Sequence, residues 1–223
     1  SSDVRLDVGR RLFEQQTTAG VWVLEKVLAQ STSQLHELSR ILDGSQAYVN
    51  HARRFQPSMQ YMKAYLGCKP VPEDVRFVGG QWELASNSFH FVDLICYFYA
   101  TELKSIEKQA LGHWHMSSVR EGFYDTDGEV KLCFDNGLKL TLDWTSEGSE
   151  ATWLFSWEGV SFIYDEITGV MKEYSRGMNI AEFSFLYGDH LFEVRVEVSR
   201  SGETMVSLQV DGEYGGYPME VSW

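Results

Sequence analysis

Over the second half of the chain one short pattern recurs: a few residues rich in β-branched and aromatic side chains, then a turn built on glycine. The segments are residues 130–134, 138–144, 152–157, 160–164, 170–174, 191–198 and 205–210. Asp127-Gly128, Asn136-Gly137, Glu158-Gly159, Thr168-Gly169, Ser201-Gly202 and Asp211-Gly212 punctuate them. Strands alternate their side chains between two faces, and two-residue links such as Asn136-Gly137 close antiparallel hairpins. The spacing therefore predicts a large, mainly antiparallel sheet. Such a sheet can bury one face under helices and leave the other open. The expected fold class is α+β, with a large open sheet and helices on one face.

Upstream the grammar differs. Residues 5–17 show helical spacing through Leu6, Val8, Leu12 and Phe13, and Gly20 ends the run. Residues 21–24 form a short apolar strand. Residues 33–42 read as a second helix, with Ser33 as its cap and Asp43-Gly44 as its stop. Helix, strand and helix with short links belong to a doubly wound α/β sheet, of which only the closing portion fits here. A strand is expected at 46–50, a helix from Pro57 to Gly67, and a strand at 75–78 before Gly79-Gly80. Two domains follow from this reading: residues 1–45 as the tail of an α/β domain, and residues 46–223 as the sheet domain. The apolar faces of residues 5–42 call for a covering surface.

Charge narrows the partners. A net charge of −13 argues against nucleic acid, which needs a concentrated basic surface. No apolar run approaches the length of a membrane span, and Ser1-Ser-Asp-Val lacks a signal-peptide layout. Cys68, Cys96 and Cys133 form no CxxC pair, so reduced and mostly buried thiols are expected, in keeping with a cytoplasmic compartment.

The chemistry concentrates in residues 86–98, SNSFHFVDLICYF. Its spacing predicts an amphipathic helix with Ser86 at the start and Asn87, His90 and Asp93 on one stripe. Histidine titrates near neutrality, which suits proton transfer. Asn87 is either a cap or a substrate contact. Arg53-Arg54 either grips a phosphate or carboxylate or forms salt bridges. His113 and His115 share a strand face, but no third ligand has suitable spacing, so no metal site is expected.

The order of these motifs resembles one family. Val23-Leu-Glu25-Lys26, then Arg53-Arg54-Phe55-Gln-Pro57, Gly79-Gly80 and Asn87-Ser-Phe-His90-Phe-Val-Asp93 are similar to the glucose–fructose oxidoreductase / inositol dehydrogenase (Gfo/Idh/MocA) family. The resemblance implies an amino-terminal Rossmann domain, of which residues 1–45 are the remnant, and a carboxy-terminal substrate and dimerisation domain. It implies NAD or NADP as cofactor, a sugar-like alcohol as substrate, and a homodimer formed through the sheet. Carried over residue by residue, Lys26, His90 and Asp93 are the catalytic candidates. Asn87 and Arg54 are the substrate-binding candidates, and Glu25 and Lys26 border the cofactor. The chain departs from the family at Val27, where the family has proline, and at Ser86, where many members carry aspartate. No G-x-G-x-x-G occurs in the sequence, so weak dinucleotide binding is expected of this chain alone. The competing expectation is a non-catalytic binding or dimerisation module of the same fold.

Overall fold

The computed structural model describes residues 2–14, 21–80, 83–117, 122–145, 151–184 and 197–198. The chain divides into two compact units, Ser1–Met59 and Gln60–Trp223.

In the first unit, α1 (Ser2–Glu14) precedes β1 (Val21–Glu25), α2 (Thr32–Ile41) and β2 (Gln46–Asn50), and a 3₁₀ turn follows at Ala52–Phe55. β1 and β2 pair in parallel, from Val21 opposite Gln46 to Glu25 opposite Asn50. Parallel pairing through a crossover helix is the α/β grammar read from the sequence. It also places residues 46–50 in this unit, beside β1. The cap of α2 is Ser31, not Ser33: Ser31 is extended, and its Oγ accepts the Gln34 N–H at 3.3 Å. The Ser33 hydroxyl instead lies 3.0 Å from that of Ser31.

α1 and α2 pack together over buried Leu6 and Leu38. Arg10 clamps Glu37 with Nε and one terminal nitrogen, at 2.6 and 2.8 Å. That fork raises the arginine pKa and lowers the glutamate pKa. Val4, Val8, Phe13, Val21, Val23, Leu35 and Tyr48 remain exposed. Parallel strands are ordinarily covered on both faces, so the expected uncovered apolar surface is present.

The second unit, from Gln60 onward, holds the larger part of α3 (Pro57–Gly67) and then β3 (Asp74–Gly80), α4 (Leu84–Tyr99), β4 (Leu103–Leu111), β5 (His115–Met116), β6 (Tyr124–Asp125) and β7 (Gly128–Phe134). Then come β8 (Lys139–Thr145), β9 (Ala151–Trp157), β10 (Val160–Asp165), β11 (Val170–Ser175), β12 (Met178–Ser184) and β13 (Glu197–Val198). Among the described residues nine strands form one sheet in the order β13-β12-β11-β10-β9-β3-β8-β7-β4. Only β3 and β8 pair in parallel. The α+β fold with a large, mainly antiparallel sheet is thus the observed one. β4 and β12 are strands that the periodicity did not announce. Of the expected segment at 191–198, residues 197–198 are described as strand; the one at 205–210 lies outside the described residues.

One face of this sheet makes the core. Val75, Phe77, Leu140, Leu142, Trp153, Phe155, Phe162 and Met171 are fully buried on it. α4 covers the centre: the Phe91 ring lies tilted 4.0 Å from Phe77 and 5.4 Å from Trp153, and meets Trp144 edge-on at 5.5 Å. α3 covers the β10–β11 side, where Tyr65 packs 4.8 Å from Phe162 and donates its hydroxyl to Glu173. Burial and the glutamate push the Tyr65 pKa upward. Each large side chain removed from water contributes about 1.5–3 kcal/mol.

The opposite face carries half-buried polar groups. Arg76 bonds Asp143 on the neighbouring strand and lies 3.9 Å from Glu129, which Lys108 approaches at 3.3 Å. The aspartate bond raises the Arg76 pKa. Cysteines depart from expectation: Cys68 is exposed, and Cys96 and Cys133 are only partly covered. Cys68 stands just past the end of α3. No described helix is long and apolar enough to cross a membrane.

Candidate functional site

α4 begins two residues earlier than Ser86, because Leu84 is buried and joins Phe91, Leu94, Ile95 and Phe98 on the sheet-facing side. Those contacts fix the rotation of the helix. His90 precedes fully buried Phe91, so its ring emerges at the border of the packed face. It is half-buried, and its Nδ1 is shielded from solvent. Asp93 is also half-buried, close to one turn further along. Asn87 turns its side chain back to the helix start, donating Nδ2–H to the Glu83 carbonyl at 2.9 Å. In this arrangement Asn87 braces the first turn with its amide nitrogen.

Capping is supplied from elsewhere. Glu83 occupies the cap position but makes no side-chain cap bond. Asp125, on β6, takes that place. Its Oδ1 accepts the Ala85 N–H at 2.7 Å, and its Oδ2 accepts the Ser86 N–H at 2.9 Å and the Ser86 hydroxyl at 2.7 Å. The Thr126 N–H adds a further bond to Oδ1 at 2.8 Å. Asp125 is 0% exposed. A helix start presents unpaired N–H groups and partial positive charge, which is what a buried carboxylate requires. Sequence reasoning missed Asp125, since it lies 39 residues beyond Ser86 and no local pattern marks it.

Lys26, Glu25 and Arg54 belong to the first unit, the first two at the end of β1 and Arg54 in the turn that follows β2. Glu25 closes β1 and Lys26 follows it, and Glu25 accepts a bond from Asn50 at the matching end of β2. Arg54 follows in the 3₁₀ turn, with its N–H on the His51 carbonyl at 3.0 Å. Lys26 and Arg54 are both half-buried. The Lys26–Val27 peptide is cis. Carboxyl ends of parallel strands are the usual ligand side of an α/β sheet. The six candidates thus form two groups, Glu25, Lys26 and Arg54 in one unit and Asn87, His90 and Asp93 in the other.

No protein-family profile and no curated protein matches the chain. Solved structures do. Gal80p from Saccharomyces cerevisiae, in a super-repressor mutant form, is similar with a TM-score of 0.63 at 13% identity, over 90% of this chain and 60% of that one. UDP-N-acetylglucosamine 3-dehydrogenase GnnA from Acidithiobacillus ferrooxidans gives 0.58 at 13% identity, over 80% and 60%. An NAD binding oxidoreductase from Klebsiella pneumoniae gives 0.60 at 11% identity, over 89% and 59%. This chain therefore spans about three-fifths of the length of these structures. At such identities the likeness is one of fold, and the fold is that of the Gfo/Idh/MocA-type proteins which the sequence resembles.

Proposed function

We propose that this chain is the substrate-side part of an NAD(P)-dependent oxidoreductase acting on an alcohol of a sugar or sugar derivative. The observation that carries the reading is α4 itself. A half-buried histidine is held at the edge of a rigid aromatic core, on a fold that dehydrogenases share. Proton transfer from an alcohol needs such a base, preorganised and partly desolvated.

In this reading His90 accepts the hydroxyl proton, and Asp93 and Asn87 hold the imidazole and the substrate in place. Lys26 stabilises negative charge developing on the reacting oxygen. Arg54 offers a planar donor fork to a phosphate or carboxylate of the substrate. Glu25 and Lys26 fit the nicotinamide side of a dinucleotide, since they stand at the carboxyl ends of parallel strands. The glycine-rich turn that holds a pyrophosphate has no counterpart in this sequence. When bound, the nicotinamide would take up the hydride from the alcohol carbon. A homodimer formed through the sheet and a cytoplasmic location complete the proposal.

A second reading is a non-catalytic binding module. Its support is the likeness to Gal80p, described for Kluyveromyces lactis as a transcriptional regulator. One experiment separates the two. The protein at its natural length is offered NAD or NADP with a panel of nucleotide sugars and inositols, and nicotinamide reduction is followed by absorbance. Turnover of any member supports the first reading; none, with a stable dimer in light scattering, supports the second.

A further inference from the structure

We infer that Asp125 is the positioning residue of the site helix, setting the direction of His90 from outside the helix. The assignment rests on the reading of α4 as the site helix and adds a residue to it.

A carboxylate removed from water costs several kcal/mol unless its oxygens are matched. Asp125 is fully buried, and each oxygen receives two donors. Three of the four donors belong to Ala85 and Ser86, in the first turn of α4. Ser86 lies four residues before His90, so the two share a stripe of the helix. A displacement at Ser86 is passed to His90 through one rigid turn. At the far end of that turn Phe91 is clamped between Phe77, Trp144 and Trp153. His90 is thus held between a polar tie on one side and an aromatic clamp on the other.

The tie is itself anchored. β6 pairs with β5, His115 opposite Asp125 and Met116 opposite Tyr124. The ribbon closes onto the sheet at its base, where the Gly112 N–H bonds the Asp127 carbonyl at 2.9 Å. Gly128 follows with φ +121, and a Cβ there would strike the Ala110 carbonyl. Asp125 therefore links the start of α4 to the β4–β7 edge of the sheet. Its neighbour Tyr124 points the other way and is exposed.

A cap that merely stabilises the helix is replaceable by another cap; a positioning tie is not. The test compares Asp125→Ala, Asp125→Asn and the double variant Asp125→Ala with Glu83→Asp, in the protein at its natural length. The double variant places a short carboxylate at the cap position itself. Backbone amide exchange at Ala85 and Ser86, the His90 ring signals in NMR, thermal stability, kcat and KM are measured. The single variants are expected to lose amide protection and to shift the His90 signals, with kcat falling up to about 100-fold and KM little changed. The double variant is expected to regain stability while His90 stays displaced. Should Asp125→Ala fail to fold, Asp125→Asn carries the same comparison, because it keeps the shape and loses two acceptor sites. Unchanged His90 signals in a folded single variant, or their return together with stability in the double variant, would overturn the assignment. The NMR readout does not depend on turnover, so the role of Asp125 is tested even in a protein that oxidises no sugar.

Discussion

Gly79 shows how closely the core beneath α4 is fitted. A Cβ at this position would stand 2.9–3.0 Å from three ring atoms of Trp144, which is 3% exposed and has no room to retreat. Gly79→Ala should therefore cost about 1–3 kcal/mol, the usual penalty of overpacking. Urea unfolding followed by tryptophan fluorescence measures it, and a loss below experimental error would mean that Trp144 yields freely. At this scale the sequence was informative where chemistry is local. His90 stood out because a histidine followed by phenylalanine and spaced three from aspartate has a recognisable helical setting. Asp125 did not, because its bonds join positions about 40 apart, and aspartate in a turn-rich stretch has many ordinary uses. Cys68 was misjudged for a related reason: composition favours burial of cysteine, but exposure depends on which side of a helix end the residue falls.

Among the elements, α4 ends as deliberately as it begins. Ala100 adopts a left-handed conformation with φ 49, and the chain then turns into β4. Asp135 secures that exit by accepting the Thr101 hydroxyl and the Glu102 N–H, the latter at 3.2 Å. The Thr101 bond first, then the backbone N–H of Glu102, lowers the Asp135 pKa below its ordinary 3.8. A depressed folded-state pKa gives stability that is present above 3.8 and lost as pH falls through the lower folded value. Asp135→Asn should thus lower the thermal midpoint near neutrality, and the difference from the unchanged protein should shrink as pH falls below 3.8 and through the lower folded value. A gap that persists in acid would show that charge is not its source.

The helices and most inner strands were legible because burial on one face imposes a period on the sequence; β12, an inner strand, was an exception. β4 was not legible either, since it is an edge strand exposed along its whole length and has no face to encode. Ser33 and Ser31 illustrate the same limit at a helix start. Either serine satisfies the sequence rule, and only the extended backbone of Ser31 decides between them.

For the whole molecule, two kinds of order meet in one chain: a parallel α/β pair in the first unit and an antiparallel sheet under helices in the second. The change of pattern was visible in the sequence. Residues 46–50 have strand character in either setting, and their partner, β1, is what assigns them. Loss of His90 is the most direct probe, since removing a general base typically costs about 100- to 10,000-fold in rate. The measurement is kcat of His90→Ala against the unchanged protein at natural length, with NAD or NADP and a turned-over sugar substrate. A fall of that size, with the fold intact by circular dichroism, is the expected result. An unaltered kcat would contradict the proton-relay role and, with it, the oxidoreductase reading of α4.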